Sequence, residues 1–332
     1  MVDKNATDSV TDGLMRAMGA SKGGVTQCRV PIPAPGRGEI RVKVVASAVN
    51  AGEEKVISGD FVGRFLHVRT SPLVLGWDVS GTVEALGEGV TDLAVGADVW
   101  GHLAYSMTQR QGAFAEYVTV PRDSMAAKPN GVSHDVAAAA ATVAMTALQS
   151  IRDEGRLAKG GTVMIVGAGG GVGAVAVGIA KRLGAHVTGV CSTRDVARVE
   201  TLGADVVLDR KKTDPLEGEA LYDVIFDTPN VHSFGRCARL LRPGGAYVTT
   251  LPDGSLATGT LHALFTSKRC RFVQVASKRA DLELVGGWLD DGLEVPIDSR
   301  HDVANLGAAL ERQTNRERVG RVVVNVAQGW PI

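Results

Sequence analysis

Nothing in the 332-residue sequence forms a cysteine metal clamp. Cys28, Cys191, Cys237 and Cys270 lie far apart, without a CxxC pair or a zinc-ligand spacing. Four cysteines could make two disulfides, but reduced thiols in a cytoplasmic protein are the expectation. Net charge is also lacking: 36 Lys and Arg balance 36 Asp and Glu. That excludes the strongly basic surface of a nucleic-acid binder and gives no electrostatic sign of a macromolecular partner. No apolar run approaches the roughly 18 residues of a membrane-spanning helix, so no membrane contact is expected. The opening residues 1–13 are polar and acidic, unlike a signal peptide, and read as a frayed tail. Neither an internal repeat nor a low-complexity segment interrupts the chain.

Apolar residues and glycine are plentiful. A hydrophobic fraction of 45% in a chain of this length suffices for two cores. The most informative stretch is Thr162 to Gly173, TVMIVGAGGGVG. Thr162–Val166 is a β-branched apolar run of strand length, and Val172–Gly184 has helical spacing. Strand, glycine turn, helix is the layout of a dinucleotide-binding unit. Gly167 and Gly169 are expected to turn with positive φ. Gly170 and Gly171 lack a Cβ and so let a pyrophosphate approach the backbone. Gly173 lets the helix pack on the strand, and the N–H groups of the first turn, Val172 among them, face the phosphates.

Before this stretch, short strands punctuated by Gly and Pro predict a β-rich, barrel-like domain. Leu14–Val30 reads as a strand pair turning at Lys22-Gly23-Gly24, and Glu39–Asn50 alternates in its first half. Ala51–Gly59 is a polar stretch. Further strands are expected within Pro72–Leu86, Asp98–His102 and Gly112–Val120. From Ser133 on, helices alternate with six strands: 162–166, 186–190, 206–208, 223–227, 246–251 and 271–275. Helices are expected near 172–184, 194–203, 232–241, 259–266 and 280–291. That alternation predicts a doubly wound parallel sheet. The fold class is α/β, with boundaries at 1–132, 133–276 and 277–332; the last segment returns to the first domain through a strand in 317–326.

Several markers in order carry a family resemblance. They are Pro35-Gly36-Arg37-Gly38-Glu39, Asn50, Gly76-Trp77-Asp78, Gly112–Val118, Thr146-Ala147-Leu148, the glycine turn, Leu202–Asp205 and Gly320-Arg321-Val322-Val323. Over residues 14–326 the chain resembles the medium-chain dehydrogenase/reductase superfamily, and most of all its zinc-independent quinone oxidoreductases and enoyl reductases. The resemblance implies a split GroES-like catalytic domain around a Rossmann domain, hydride transfer from a reduced nicotinamide, and a homodimer. Zinc-dependent members ligate their metal through Cys, His and Cys; the matching positions here are Asn50, Trp77 and Thr142, and the structural-zinc lobe is missing. No metal is therefore expected. Asp78, Glu53 and Glu54 are expected to be solvated or strand-capping.

The resemblance places Asn50 and Trp77 in the catalytic region. Related enoyl reductases often carry a tyrosine after the Asn region, but this chain has Phe61. Tyr105 is the candidate proton donor, with His102 or solvent as alternatives. Thr146 joins the cofactor-binding set, as do Thr250, Leu251 and Pro252 near the nicotinamide, with Arg321 closing the site. No acid ends the second strand of the dinucleotide unit. Ser192, Thr193 and Arg194 stand there and suit a 2′-phosphate, with Arg198 one turn on, so NADPH is expected over NADH. Phe61, Phe65, Leu66 and Trp77 are expected to line an apolar cleft beside Arg64, His67 and Arg69. With Lys268, Arg269, Arg271, Lys278 and Arg279, that suits an acyl-CoA, taken to be 3,3-dimethylacrylyl-CoA reduced to isovaleryl-CoA. A quinone reductase and a non-catalytic NADPH-binding protein are the alternatives.

Overall fold

The structure, a computed structural model, describes residues 13–219, 221–251 and 254–330. The expected tail, apart from Gly13, and Pro252 lie outside the described residues. The chain forms two compact units. One runs to Thr142 and resumes over Ala276–Asp291 and from Ile297; the other comprises Val143–Val275 and Gly292–Pro296.

The first unit begins with an antiparallel hairpin, β1 (Leu14–Ser21) and β2 (Gly24–Pro31). Its main sheet contains β3 (Glu39–Val49), β4 (Asp78–Leu86), β5 (Asp98–His102), β6 (Tyr117–Pro121) and β7 (Met125–Ala127). In the first half of β3, Ile40, Val42 and Val44 are buried while Lys43 is exposed, which is the period-two burial of a strand with one wet face. Helices α1 (Ala51–Ser58) and α2 (Gly63–Leu66) lie between β3 and β4, and α3 (His134–Leu148) follows β7, running on into a π-turn at Gln149–Glu154.

In the second unit the order is β8 (Thr162–Val166), α4 (Gly171–Arg182), β9 (His186–Cys191), α5 (Val196–Thr201), β10 (Val206–Asp209), β11 (Tyr222–Asp227), α6 (Phe234–Ala238), β12 (Leu241–Thr249), α7 (Gly254–Ala263) and β13 (Arg269–Phe272). The six strands are all parallel, in the order β10-β9-β8-β11-β12-β13. Val163–Val166 of β8 is entirely buried, as a central strand covered on both faces must be. The chain then completes the first unit with α8 (Arg279–Asp290), β14 (Ile297–Asp302), α9 (Leu306–Thr314) and β15 (Arg321–Asn325), giving the sheet order β14-β15-β3-β4-β5-β7 with β6 on β3.

The structure differs from these expectations, or adds to them, at three points. The division falls inside α3, not at residue 133, and Gly292–Pro296 belongs to the second unit. The polar stretch Ala51–Gly59 forms helix α1 and its cap. Asn50 stands at its N-cap, Glu53 at the third position accepts the Asn50 N–H at 2.8 Å, and Gly59 ends it at φ 71°. This Asn-x-x-Glu…Gly signature was legible in the sequence. The edge strand β14 and helix α9 were not anticipated; β14 reads IDSRHD, with no apolar alternation to mark it.

Candidate functional site

The first unit carries a buried polar network built from four distant segments. Gly76, at φ 103° and with its Cβ position 2.9 Å from the Phe114 nitrogen, admits no side chain. It turns the chain so that Trp77 and Asp78 enter β4 facing inward. Asp78 is wholly buried. One carboxylate oxygen accepts the Thr142 N–H at 2.7 Å; the other accepts Asn50 Nδ2 at 2.9 Å and Arg321 Nη2 at 2.7 Å. Arg321 also donates to Asn50 Oδ1 at 2.9 Å and to the Ala139 carbonyl at 3.1 Å. The amide of Asn50 is thereby oriented without ambiguity: its NH2 faces a carboxylate and its oxygen a guanidinium.

Tyr105 packs on this network. Its ring lies 4.8 Å from that of Trp77 and 6.2 Å from that of His102. Burial, then the nearby Glu53 and Asp78 carboxyls, push its ionisation well above the ordinary phenol range, so Tyr105 is a neutral O–H donor. His102 ends β5 opposite Asp78 and is wholly buried. Its Nδ1 meets the Leu103 carbonyl at 2.9 Å. A carbonyl only accepts, so Nδ1 bears the proton and Nε2 is a bare acceptor. Burial lowers its pKa and keeps the ring neutral. Among the described residues, three buried atoms here have no hydrogen-bond partner: Glu53 Oε1, Trp77 Nε1 and His102 Nε2.

Asn50, Trp77 and Tyr105 are thus brought together, and Arg321 joins them. Arg321 was expected to meet a cofactor, but its guanidinium is 3% exposed and committed to this network. Asp78 and Glu53 are buried, not solvated; only Glu54 is exposed. The expected apolar cleft divides. Phe61 and Phe65 form an exposed edge-to-face pair 5.1 Å apart, whereas Trp77 is buried, its ring 3.2 Å from the Cβ position of Gly52 on α1. His67 is buried, its ring nitrogens 2.6 Å and 3.1 Å from the carbonyl oxygens of Val68 and Gln111, and does not lie on the surface. The family's zinc does not fit this donor set. Asn50 has both side-chain atoms engaged, Trp77 offers no lone pair, and no group of three or more His, Cys, Asp or Glu side chains able to hold a metal occurs among the described residues.

In the second unit the glycine turn between β8 and α4 forms as expected, with one change. Gly167 has φ 80°, but Gly169 does not have positive φ. Its need for glycine is steric: a Cβ would lie 2.7 Å from the Asp195 carboxyl. Gly173 is the tightest, its Cβ position 2.1 Å from the Gly167 carbonyl oxygen. Gly170 caps α4, so the amides of Gly171, Val172 and Gly173 have no carbonyl four residues back and present an anion-binding turn. At the end of β9, Ser192 makes no capping bond; its Oγ accepts from Arg210 at 3.0 Å. Thr193 begins the short 3-10 turn Thr193–Asp195. Arg194 is 44% exposed and 3.5 Å from Asp195. Arg198, expected to join it, is spent on Asp195 and the Gly169 carbonyl, each at 2.7 Å. Arg210 was missed; it lies 18 residues from Ser192, and only the parallel pairing of β9 with β10 brings the two together. Thr146 is buried in α3, and Thr250, just past β12, donates to the Thr228 carbonyl at 2.9 Å, with Leu251 beside it.

Residues 36–130 match the alcohol dehydrogenase GroES-like domain, and residues 202–324 match the zinc-binding dehydrogenase domain. The chain is 30% identical to the trans-enoyl reductase pgmF of Aspergillus terreus, over 89% of this chain and 88% of that protein. It is 31% identical to the mitochondrial NAD(P)H oxidoreductase RTN4IP1 of Mus musculus (87% and 82%) and 28% identical to a chloroplast envelope quinone oxidoreductase homolog of Arabidopsis thaliana (92% and 95%). Among solved structures it is similar in fold to the quinone oxidoreductase from Coxiella burnetii, with a TM-score of 0.84, 24% identity, and coverage of 94% of this chain and 99% of that one. The GroES-like unit, the six-stranded parallel sheet with its glycine turn, and these matches together place the chain in the medium-chain dehydrogenase/reductase superfamily of NAD(P)H-dependent oxidoreductases.

Proposed function

We propose that the protein reduces the activated C=C bond of a small enoyl thioester with NADPH, without a metal. The observation that carries this is the closed Asn50–Asp78–Arg321 network at the place where zinc-dependent relatives hold their metal, with the Tyr105 hydroxyl beside it. Alcohol oxidation needs a Lewis acid to stabilise an alkoxide. Reduction of a conjugated C=C spreads charge into an enolate, which a neutral O–H donor can stabilise and protonate. NADPH, held by the amides of the α4 turn, supplies the hydride. Ser192, Thr193, Arg194 and the newly identified Arg210 surround the position of a 2′-phosphate, and Arg194 and Arg210 are exposed and cationic. An acyl-CoA is favoured by the exposed Phe61–Phe65 pair with Arg64 between them in sequence; 3,3-dimethylacrylyl-CoA is the specific candidate. Quinone reduction is the second reading, favoured by the quinone oxidoreductase names among the relatives. A homodimer is supported by β13, the open edge of the parallel sheet, beside the exposed Leu261, Leu264 and Phe265.

One set of measurements tests this. NADPH oxidation should be fast with enoyl-CoAs, slower with quinones and absent without acceptor; no turnover with either class would leave only a binding protein. Arg210→Ala and Arg194→Ala should each weaken NADPH about ten- to a hundredfold and leave NADH nearly unchanged. Tighter wild-type binding of NADH would refute the phosphate assignment. About one zinc per chain, lost together with activity, would refute the metal-free site, and a monomer by sedimentation equilibrium would refute the dimer.

A further inference from the structure

The turn between β8 and α4 is braced by two residues at the start of α5. The helical ladder of α4 begins at the Gly170 carbonyl, which accepts the Ala174 N–H at 2.9 Å. The Gly169 carbonyl lies one residue outside that ladder, and Arg198 Nη2 donates to it at 2.7 Å. The same nitrogen donates to Asp195 Oδ1 at 2.7 Å. Asp195 stands at the N-cap of α5 and is almost fully buried. Its carboxyl carbon lies 2.7 Å from the Cβ position of Gly169. The pair thus fills the space against Gly169 and ties its carbonyl to α5. Neighbouring positions have backbone partners instead: Gly167 and Ala168 both donate to the Val190 carbonyl at 3.0 Å, and Gly170 donates to that of Gly167 at 2.8 Å. Arg198 Nη1, meanwhile, is buried without a hydrogen-bond partner among the described residues. A guanidinium serving only an ion pair could turn that nitrogen to water. This one bears the cost of an unmatched donor, which fits a side chain placed for the turn.

We propose that Asp195 and Arg198 are positioning residues for the cofactor turn, a brace that fixes the Gly169 peptide so that the amides of Gly171, Val172 and Gly173 converge on the pyrophosphate. This role rests on the NADPH reading above. Gly169 lies beyond the paired residues of β8 and short of the α4 ladder, and a glycine there has the widest choice of φ and ψ of any residue type. Ordering a loose turn at the moment of binding costs affinity, and a turn already held incurs less of that cost. Arg198 acts through Gly169. Its charge is matched by Asp195 at 2.7 Å, so its effect comes from geometry rather than from long-range attraction of a phosphate. That separates it from Arg194 and Arg210, which are assigned to the 2′-phosphate and should act on that group alone.

The test measures dissociation constants of NADPH, NADH, ADP and 2′-AMP for wild type, Arg198→Met, Arg198→Lys and Asp195→Ala, at about 0.1 M and about 0.5 M salt. Arg198→Met should weaken NADPH, NADH and ADP, which carry the pyrophosphate, by one common factor of about ten- to a hundredfold, the size expected for lost charge-assisted bonds. Binding of 2′-AMP, which has no pyrophosphate, should change less than about twofold, and the losses should be the same at both salt concentrations. Arg198→Lys should recover part of the affinity. Asp195→Ala should reproduce the loss at the higher salt, where the freed charge of Arg198 is screened. In the nucleotide-free protein, amide hydrogen exchange over 167–173 should quicken about tenfold or more in Arg198→Met, with β8 and β9 still protected. A loss confined to NADPH and 2′-AMP would make Arg198 a phosphate contact. Unaltered binding would make the pair a plain structural one, and equal loss of all four ligands would show general unfolding; each of these results would overturn the proposal. A wild type that binds none of the four would instead overturn the NADPH reading, and the exchange of the turn would then decide whether the brace exists, unaltered exchange overturning it.

Discussion

At the scale of single residues, the ion pair of Asp78 and Arg321 matters most for stability, because both partners are almost fully buried. Removing one leaves the other's charge desolvated. Asp78→Leu or Arg321→Met alone should cost about 3–5 kcal/mol, whereas the double variant Asp78→Leu with Arg321→Met should cost less than either single change. Urea unfolding of the four proteins gives the coupling directly, and additive losses would mean that the pair is not coupled as the 2.7 Å contact requires. The chemistry of each residue was visible in the chain, but its environment was not. Asp78 and Glu53 belong to residue types that are usually solvated, so without the fold the solvated reading wins. Their burial depends on an arginine 243 positions from Asp78.

At the scale of elements, the turn between β8 and α4 shows how one missing methyl group can be decisive. A Cβ on Gly173 would meet the backbone of Gly167 at 2.1 Å, and backbone cannot swing aside as a side-chain end can. Gly173→Ala should therefore abolish measurable NADPH binding and lower the melting temperature. Gly287, in the interior of α8, has nothing within 4 Å of its Cβ position. Gly287→Ala should raise stability by up to about 1 kcal/mol, the ordinary helix-propensity gain. Calorimetry on both variants separates a glycine kept for packing from one that is merely tolerated. The strand–turn–helix order was legible because each part has a local signal. The φ of Gly169 was not, because its glycine answers to Asp195, a neighbour in space rather than in the turn.

At the scale of the whole molecule, the buried carboxyls shape how stability depends on pH. An unfolded glutamate ionises near about 4.3, while folded Glu53 ionises higher because of its burial. Between those values the folded state holds the extra proton, so stability falls as pH rises through that window. Glu53→Gln removes this fall, and its stability relative to wild type should improve steadily from about pH 4.5 upward. Asp298 works in the opposite sense. Hydrogen bonds from Arg312 lower its pKa to about 2, so its contribution is full above the unfolded value and is lost as pH falls towards about 2. Asp298→Asn should lower the melting temperature at neutral pH and flatten the acid limb, so that variant and wild type converge as pH falls towards about 2; an unchanged acid limb would mean that this pair does not join β14 to α9 as its geometry implies.

Local and periodic features were determined by the sequence alone. These are the two-unit α/β class, the glycine turn and its helix, the parallel alternation, and the unsuitability of Asn50, Trp77 and Thr142 as zinc ligands, because each rests on the chemistry or spacing of neighbouring residues. Tertiary structure alone decided the rest. It turned Arg321 inward to Asp78, placed Arg210 on Ser192 through strand pairing, and enclosed Glu53 with one cation already claimed. Those contacts join segments far apart in the chain, and the dielectric and hydrogen-bond partners that set a charge are properties of the enclosure, not of the residue.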